Sequence, residues 1–138
     1  MTGIIRVSAL SVLSLLVFAV PAIAHHAFTA EFDGSQSVTL TGTLSKVEWI
    51  NPHVYLYVDV KASDGNVTQW AVECNSTVTL HRQGMTRSML TEGQNVTVQV
   101  NPAKDGTKSR ASLRHITLQN GTEVNFQNNN DAAPADQK

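Results

Sequence analysis

The chain has 138 residues, of which 41% are hydrophobic, 6% aromatic and 15% charged, and its formal net charge is −1 from ten Lys and Arg against eleven Asp and Glu. These values predict one small globular domain rather than a multidomain enzyme or a disordered chain. The near-neutral balance, without a run of like charges, argues against a nucleic-acid partner. The single cysteine, Cys74, excludes an internal disulfide and any CxxC metal or redox site.

Residues 1–24 have the pattern of a secretory signal peptide. One basic residue, Arg6, precedes an apolar run over 7–20, and Ala22 and Ala24 form an A-x-A cleavage site. A membrane anchor is the alternative, but the run is short for a bilayer span of about 20 residues. We therefore predict export to the periplasm or outside the cell, a mature chain that begins at His25, and no membrane insertion after signal cleavage.

Hydrophobic alternation at period two predicts a mostly β chain. In chain order, the predicted strands cover residues 38–49, 54–60, 67–74, 96–100 and 111–118, with a short sixth strand over 123–126. A change of phase near residues 45–46 predicts a bulge in the first strand. The Asn51-Pro52 pair ends that strand, because proline has no N–H to donate to the ladder.

The hydrophobic period changes between the third and fourth predicted strands. A polar residue at 75–76 can cap a short helix that runs to about residue 83 and ends at Gly84. Three strands, a helix and two strands is the order of an OB-fold, a five-stranded Greek-key barrel. We therefore predict an all-β domain with one short helix, OB-like, over residues 25–126, followed by a disordered tail over 127–138. A β-sandwich is the alternative, disfavoured because seven strands do not fit.

The histidines are the strongest candidates for chemistry. A chain that begins at His25 offers a ring nitrogen and a free α-amine from one residue, and such a chelate, completed by another imidazole, suits Cu(II). We therefore predict a site for copper, or another late divalent metal, at His25 and His53, with His26 or His115 assisting. Zinc is disfavoured, because the sequence has no set of Cys or HxxxH ligands. The opposing interpretation is that His25 and His26 form a frayed arm and that His53 only bonds to backbone.

The aromatic residues support a second function. Tyr55 and Tyr57 alternate with the predicted core residues of the second strand, which places both rings on the outer face of the barrel. OB-folds commonly bind ligands over this face and its flanking loops, so a metal-free module could bind a peptide, an envelope protein or a saccharide here. The candidate ligand-binding residues are Trp49, Asn51, Tyr55 and Tyr57. Alternatively, Phe28 and Phe32 of the N-terminal arm pack on the tyrosines and close the patch.

The sequence contains no recognisable catalytic pattern. Cys74 is expected on the inward face of the third strand as an inert small hydrophobe, and no G-x-S-x-G is present. The acids Glu31, Asp33, Glu48 and Glu73 show no acid–base pairing. The basic residues of the second half, Arg110 among them, have the pattern of a solvated surface. We therefore predict binding without catalysis, and an oxidative copper enzyme is the third alternative.

Several stretches resemble a family of small exported bacterial proteins of unknown function. They are HHAFTAEFD at 25–33, VEWINPH at 47–53, and the later LHRQGMTRSMLTEGQNVTV and NPAKDG segments. The matching positions are His25, His26, Phe28, Glu31, Phe32, Asp33, Trp49, Asn51, Pro52 and His53. Ala27 and Cys74 depart from the pattern, where the family more often has serine and a small residue. The resemblance implies export and one small β-rich domain, and it implies no activity.

Overall fold

The computed structural model describes residues 30–126, and the predicted signal peptide, His25, His26, Phe28 and the predicted tail lie outside them. The strands are β1 (Val38–Glu48), β2 (Tyr55–Lys61), β3 (Val67–Glu73), β4 (Asn95–Pro102), β5 (Arg110–Leu118) and β6 (Glu123–Asn125). Helix α1 (Thr77–Arg82) and a 3₁₀ turn (Arg87–Met89) lie between β3 and β4. The predicted elements are therefore confirmed, with differences of a few residues at their ends.

The strands form a closed five-stranded barrel of OB type. They follow the order β3-β2-β1-β4-β5-β6, and an additional parallel pairing joins β3 to β5. In that pairing Ala71 lies opposite Arg110 and Glu73 opposite Ser112. Because β5 also pairs with β4, this contact closes β1 to β5 into a ring and leaves β6 as an added edge strand. The helix between the third and fourth strands completes the predicted topology.

The barrel interior is filled by the residues that alternate inward along the strands. Fully buried side chains include Leu44, Leu56, Val58, Val72, Val98 and Ile116. The segment between β3 and β4 adds Leu80, Met85 and Leu90 to the same core. Burial of each such side chain stabilises the fold by about 1.5–3 kcal/mol. Cys74 belongs to this core, as expected, and burial raises the pKa of its thiol, which keeps it protonated and unreactive.

The predicted bulge in β1 is present. The pairing of β1 with β2 shifts register between Leu44 and Lys46, as the change of phase indicates. Just before it, a Cβ atom on Gly42 would lie 2.3 Å from the carbonyl oxygen of Asp59. Only glycine allows β2 to approach β1 this closely, so Gly42 and the bulge together set the curvature of the barrel wall.

A second bulge explains an irregular pattern in β5. Val100 pairs with Leu113 but Gln99 pairs with His115, so Arg114 is the extra residue. This shift buries both Leu113 and Ile116, although their spacing does not fit a regular strand. The bulge also determines to which face of β5 the His115 side chain points, which alternation alone leaves open.

Helix α1 forms despite its run of β-branched residues. The Ser76 hydroxyl accepts a hydrogen bond from the Thr79 N–H at 3.3 Å and caps the first turn. Leu80 is buried in the core and anchors the helix to the barrel. Gly84, with φ +91, ends it in the left-handed conformation. Among residues 30–126, no helix is long and apolar enough to span a bilayer.

The segment before β1 pairs with the end of β4 and the chain that follows it. Phe32 forms an isolated bridge with Ala103, and the Asp33 N–H donates to the Pro102 carbonyl at 2.9 Å. The Lys104 N–H donates to the Glu31 carbonyl at 2.8 Å. These bonds fix residues 31–33 beside the β4–β5 connection.

Candidate functional site

His53 lies in the turn between β1 and β2, and this turn is tied down on both sides. Before it, the Asn51 side chain accepts hydrogen bonds from the Thr77 N–H at 3.2 Å and from the Thr77 hydroxyl at 2.9 Å. After it, Val54 is fully buried and its N–H donates to the Asn75 carbonyl at 3.2 Å. The His53 backbone is therefore held between helix α1 and the core, while its side chain is 47% exposed.

The carboxylate of Glu73, at the end of β3, receives three donors. Its Oε1 atom contacts Nδ1 of His53. Its Oε2 atom accepts from the Tyr55 hydroxyl at 2.8 Å and from Arg110 Nη2 at 3.5 Å. Tyr55 lies directly opposite Glu73 in the β2–β3 ladder, so the backbone pairing brings these two side chains together. Glu73 is only 9% exposed, and its charge is balanced by these contacts.

Arg110, the first residue of β5, connects Glu73 to the segment before β1. Its Nη2 atom bonds to Glu31 Oε2, and its guanidinium lies over the Phe32 ring at 5.1 Å from the centroid. The hydrogen bond to Glu31, together with the nearby charge of Glu73, raises the pKa of Arg110. The interpretation of Arg110 as a solvated surface residue is therefore wrong, because the guanidinium bridges two carboxylates.

We call Glu31, His53, Tyr55, Glu73 and Arg110 the Glu73 cluster. Burial and the hydrogen bond to Glu73 raise the pKa of Tyr55 to about 12, so its hydroxyl remains a donor at neutral pH. The cluster lies where the β1–β2 turn and the β4–β5 connection meet the outer face of β2 and β3. This is the part of an OB-fold that commonly binds ligands.

A second polar group lies on the same outer face. The Tyr57 hydroxyl donates to Glu48 Oε2 at 3.1 Å, and Lys46 Nζ contacts Glu48 Oε1 at 2.5 Å. The Lys46 ammonium also lies over the Tyr57 ring at 5.1 Å. Trp49, another candidate ligand-binding residue, packs against the core and is partly buried. Of the four candidates, Tyr55 and Tyr57 present rings on the outer face, and Asn51 is engaged with α1.

The structure places the predicted metal ligands in separate surroundings. His53 lies in the Glu73 cluster. His115 lies on β5, where Nδ1 contacts Asn125 Oδ1 at 2.6 Å and Nε2 contacts Thr117 Oγ1 at 3.1 Å. In the described part of the chain, no three His, Cys, Asp or Glu side chains are grouped to hold a metal ion. His25 and His26 lie outside that part.

Sequence reasoning missed Glu31, Glu73 and Arg110 as members of a site. One signal was available for Glu73, since the Asp64-Gly65 turn predicts the β2–β3 register to within one residue and so brings Glu73 near Tyr55. A slip of one residue moves a side chain to the other face, which is why the turn alone could not decide it. Arg110 had no such local signal, because it joins Glu73 through the long-range β3–β5 pairing.

The family of the chain is shown by a match that covers most of its length. A family model described as "Family of unknown function (DUF6152)" matches residues 12–114, which include every member of the Glu73 cluster. The chain belongs to this family. Membership in DUF6152 confirms the predicted resemblance to a family of unknown function, and it assigns no activity.

Further comparisons give only distant likeness. No curated protein matches this DUF6152 chain significantly. A crystal structure of the Saccharomyces cerevisiae mitochondrial single-stranded DNA binding protein Rim1 is 13% identical, with a TM-score of 0.47 over 66% of this chain and 97% of that one. Its selenomethionine-labelled form is 14% identical, with a TM-score of 0.40 over 67% and 97%. The assignment of the barrel rests on the strand pairing of the DUF6152 chain itself.

Proposed function

We propose that this DUF6152 protein binds a late divalent metal ion, foremost Cu(II), through His53 and the paired histidines His25 and His26. Its role is metal binding, delivery or sensing, in the periplasm or outside the cell. The export pattern of residues 1–24 supports that location and makes His25 the first residue of the mature chain. The observation that carries the proposal is the continuous set of contacts from Glu31 through Arg110 and Glu73 to His53.

Those contacts anchor the chain close to His53. Glu31 is bound to Arg110 by its side chain and to Lys104 by its backbone carbonyl. His25 lies six positions before Glu31 in the sequence, and six residue steps of extended chain span at most about 20 Å. The proposal requires the nitrogen donors of His25 and His26 to reach the His53 ring across this short segment.

The donor set suits copper. An N-terminal histidine contributes an imidazole and an amine, and His53 adds a second imidazole, so that all donors are nitrogen. His53 serves as the barrel ligand better than His115, because both ring nitrogens of His115 already have hydrogen-bond partners. The partial exposure of His53 leaves room for a ligand from another segment.

The test is a Cu(II) titration by calorimetry and EPR on protein that begins at His25. We expect tight one-to-one binding, weakened at least about tenfold by one extra residue before His25 or by His53→Ala, since loss of a ligand should cost no less than loss of an outer-shell partner. His81→Ala is the matched control, because His81 is exposed on α1 and outside the cluster. Equal binding by all variants, or no binding by any, would contradict the proposal.

A metal-free binding module is the second candidate, and the outer face of the barrel favours it. Tyr55 and Tyr57 present partly exposed rings there, and Ile50 in the adjoining turn is 57% exposed. Aromatic and apolar surface of this kind suits a saccharide or an extended peptide. In a screen of envelope oligosaccharides and short peptides, Tyr57→Ala should weaken such binding and His53→Ala should leave it intact. The opposite pattern would exclude this candidate.

A further inference from the structure

We propose that Glu73 is the positioning residue for His53: it holds the neutral imidazole in the Nδ1–H tautomer and so presents Nε2 as the metal-binding atom. This inference rests on the proposed metal function and names the atom and the supporting residue of that site. Metal-binding histidines almost always donate their other ring N–H to a carboxylate, a backbone carbonyl or water, and this second contact decides which nitrogen is the ligand.

The contact between the two side chains specifies the tautomer. His53 Nδ1 faces Glu73 Oε1. A carboxylate oxygen accepts hydrogen bonds and does not donate them, so in the neutral ring the proton belongs on Nδ1 and the lone pair on Nε2. Within residues 30–126, Nε2 has no hydrogen-bond partner of its own, which leaves that lone pair available to a ligand.

A residue can position another side chain only if it is itself held in place, and Glu73 is. The β2–β3 ladder fixes its backbone opposite Tyr55. The Tyr55 hydroxyl and Arg110 hold Oε2, so Oε1 remains directed at His53. Because Glu73 is 9% exposed, water competes little for these contacts. Side chains from β2, β3 and β5 therefore set the orientation of the imidazole before any metal binds.

The chain provides a matched control in Glu48. This carboxylate also accepts a tyrosine hydroxyl, from Tyr57, and also contacts a cation, Lys46. It pairs with Tyr55 across the β1–β2 ladder and so lies on the same outer face as Glu73. No histidine contacts Glu48 in the described residues. A general effect of removing a carboxylate from this face would appear in both variants, whereas a positioning effect would appear only in the Glu73 variant.

The experiment reads the tautomer directly, without metal. Ring nitrogen-15 spectra of the mature protein are recorded at a pH of about 9, where an imidazole is neutral, and His53→Ala assigns the signal. We expect the Nδ1–H tautomer in the wild type and in Glu48→Ala, and a mixture of tautomers in Glu73→Ala. Glu73→Gln keeps an acceptor oxygen and should retain much of the Nδ1–H form. An Nε2–H tautomer in the wild type overturns the inference, even if Glu73→Ala does not fold.

Copper titration of the same proteins completes the test. Cu(II) affinity should fall about 10- to 100-fold in Glu73→Ala, the usual effect of removing an outer-shell partner, and should stay within about twofold in Glu48→Ala. A Glu73→Ala protein with altered tautomer and unchanged copper affinity would overturn the positioning role. The two proposals fail separately: if copper does not bind but the wild-type tautomer is Nδ1–H, the metal function fails and the contact between Glu73 and His53 stands.

Discussion

Two tyrosine–carboxylate pairs lie two residues apart on β2 and differ in what surrounds them. Tyr55 donates to Glu73 at 2.8 Å and Tyr57 donates to Glu48 at 3.1 Å. The Glu73 side chain is 12% exposed, whereas the Glu48 side chain is 32% exposed. Glu73 also contacts His53 and Arg110, but within residues 30–126 Glu48 has only the exposed Lys46 as a second partner.

The difference comes from position on the barrel rather than from residue type. The Tyr55 pair lies where the β1–β2 turn and the β4–β5 connection converge, so several segments exclude water from it. The Tyr57 pair lies further along the strand on the open face. Electrostatic contacts strengthen as water is excluded, so the same two residue types form a structured site at one position and a surface contact at the other.

The two pairs should differ most in how much stability the protein loses when the tyrosine hydroxyl of each pair is removed. Tyr55→Phe leaves the buried Glu73 with one donor fewer, and a hydrogen bond to a charged group is worth about 1.5–3 kcal/mol. Tyr57→Phe should change the free energy of unfolding by less than about 0.5 kcal/mol, as exposed substitutions usually do. Urea unfolding of the two variants measures both values. Equal losses would show that the two pairs are energetically alike.

The pH dependence of stability sharpens the same comparison. The pKa of Tyr55 is raised to about 12 in the folded chain, whereas an unfolded tyrosine titrates at about 10. Between these values the unfolded chain loses the phenolic proton first, so the stability that Tyr55 contributes is present below about pH 10 and is lost as the pH rises toward 12. Urea unfolding across this window should show a smaller decline for Tyr55→Phe than for the wild type. Parallel profiles would contradict the expectation.

A smaller effect than that of Tyr55→Phe is expected at the ion pair that links the Tyr55 region to the segment before β1. The side chains of Glu31 and Arg110 are 45% and 31% exposed, so Glu31→Gln should cost no more than about 1 kcal/mol, and less at high salt. Backbone bonds at Phe32 and Asp33 still hold the segment. Urea unfolding at two salt concentrations measures this effect. A loss above about 2 kcal/mol would show that the pair, not the backbone pairing, anchors the chain.

Local pattern predicted the elements of this protein well. Alternation identified the strands and the bulge near Ser45, and the polar residues before Thr77 with Gly84 after it identified the helix. The strands, the bulge and the helix depend on neighbours in sequence, so the amino-acid sequence is sufficient to find them. Arg110 is the exception: its charge suggested a solvated surface, but it contacts Glu73, 37 residues away along the chain, because β3 pairs with β5.

The candidate site likewise has residues that the local sequence pattern indicates and contacts that it does not. The sequence identified His53 as a chemically useful side chain at the end of a turn, and it identified Tyr55 as an outward residue of β2. It could not show that a carboxylate contacts Nδ1 of that histidine, because Glu73 reaches His53 only through the register of β2 and β3. The predicted partner His115 illustrates the converse, since the bulge at Arg114 directs it to Thr117 and Asn125 on β5 and β6.

The sequence by itself determined the order of the strands and the helix along the chain, most of the inward residues and the cap of the helix. It could do so because each of these depends on local period or turn chemistry. The family, too, follows from the sequence alone. Only the tertiary structure decided that Glu31, His53, Tyr55, Glu73 and Arg110 meet at one place. Their meeting requires the barrel to close through the β3–β5 pairing and the segment before β1 to pair beside β4. Those contacts join residues distant in sequence, and they form because closing the barrel buries one continuous apolar interior.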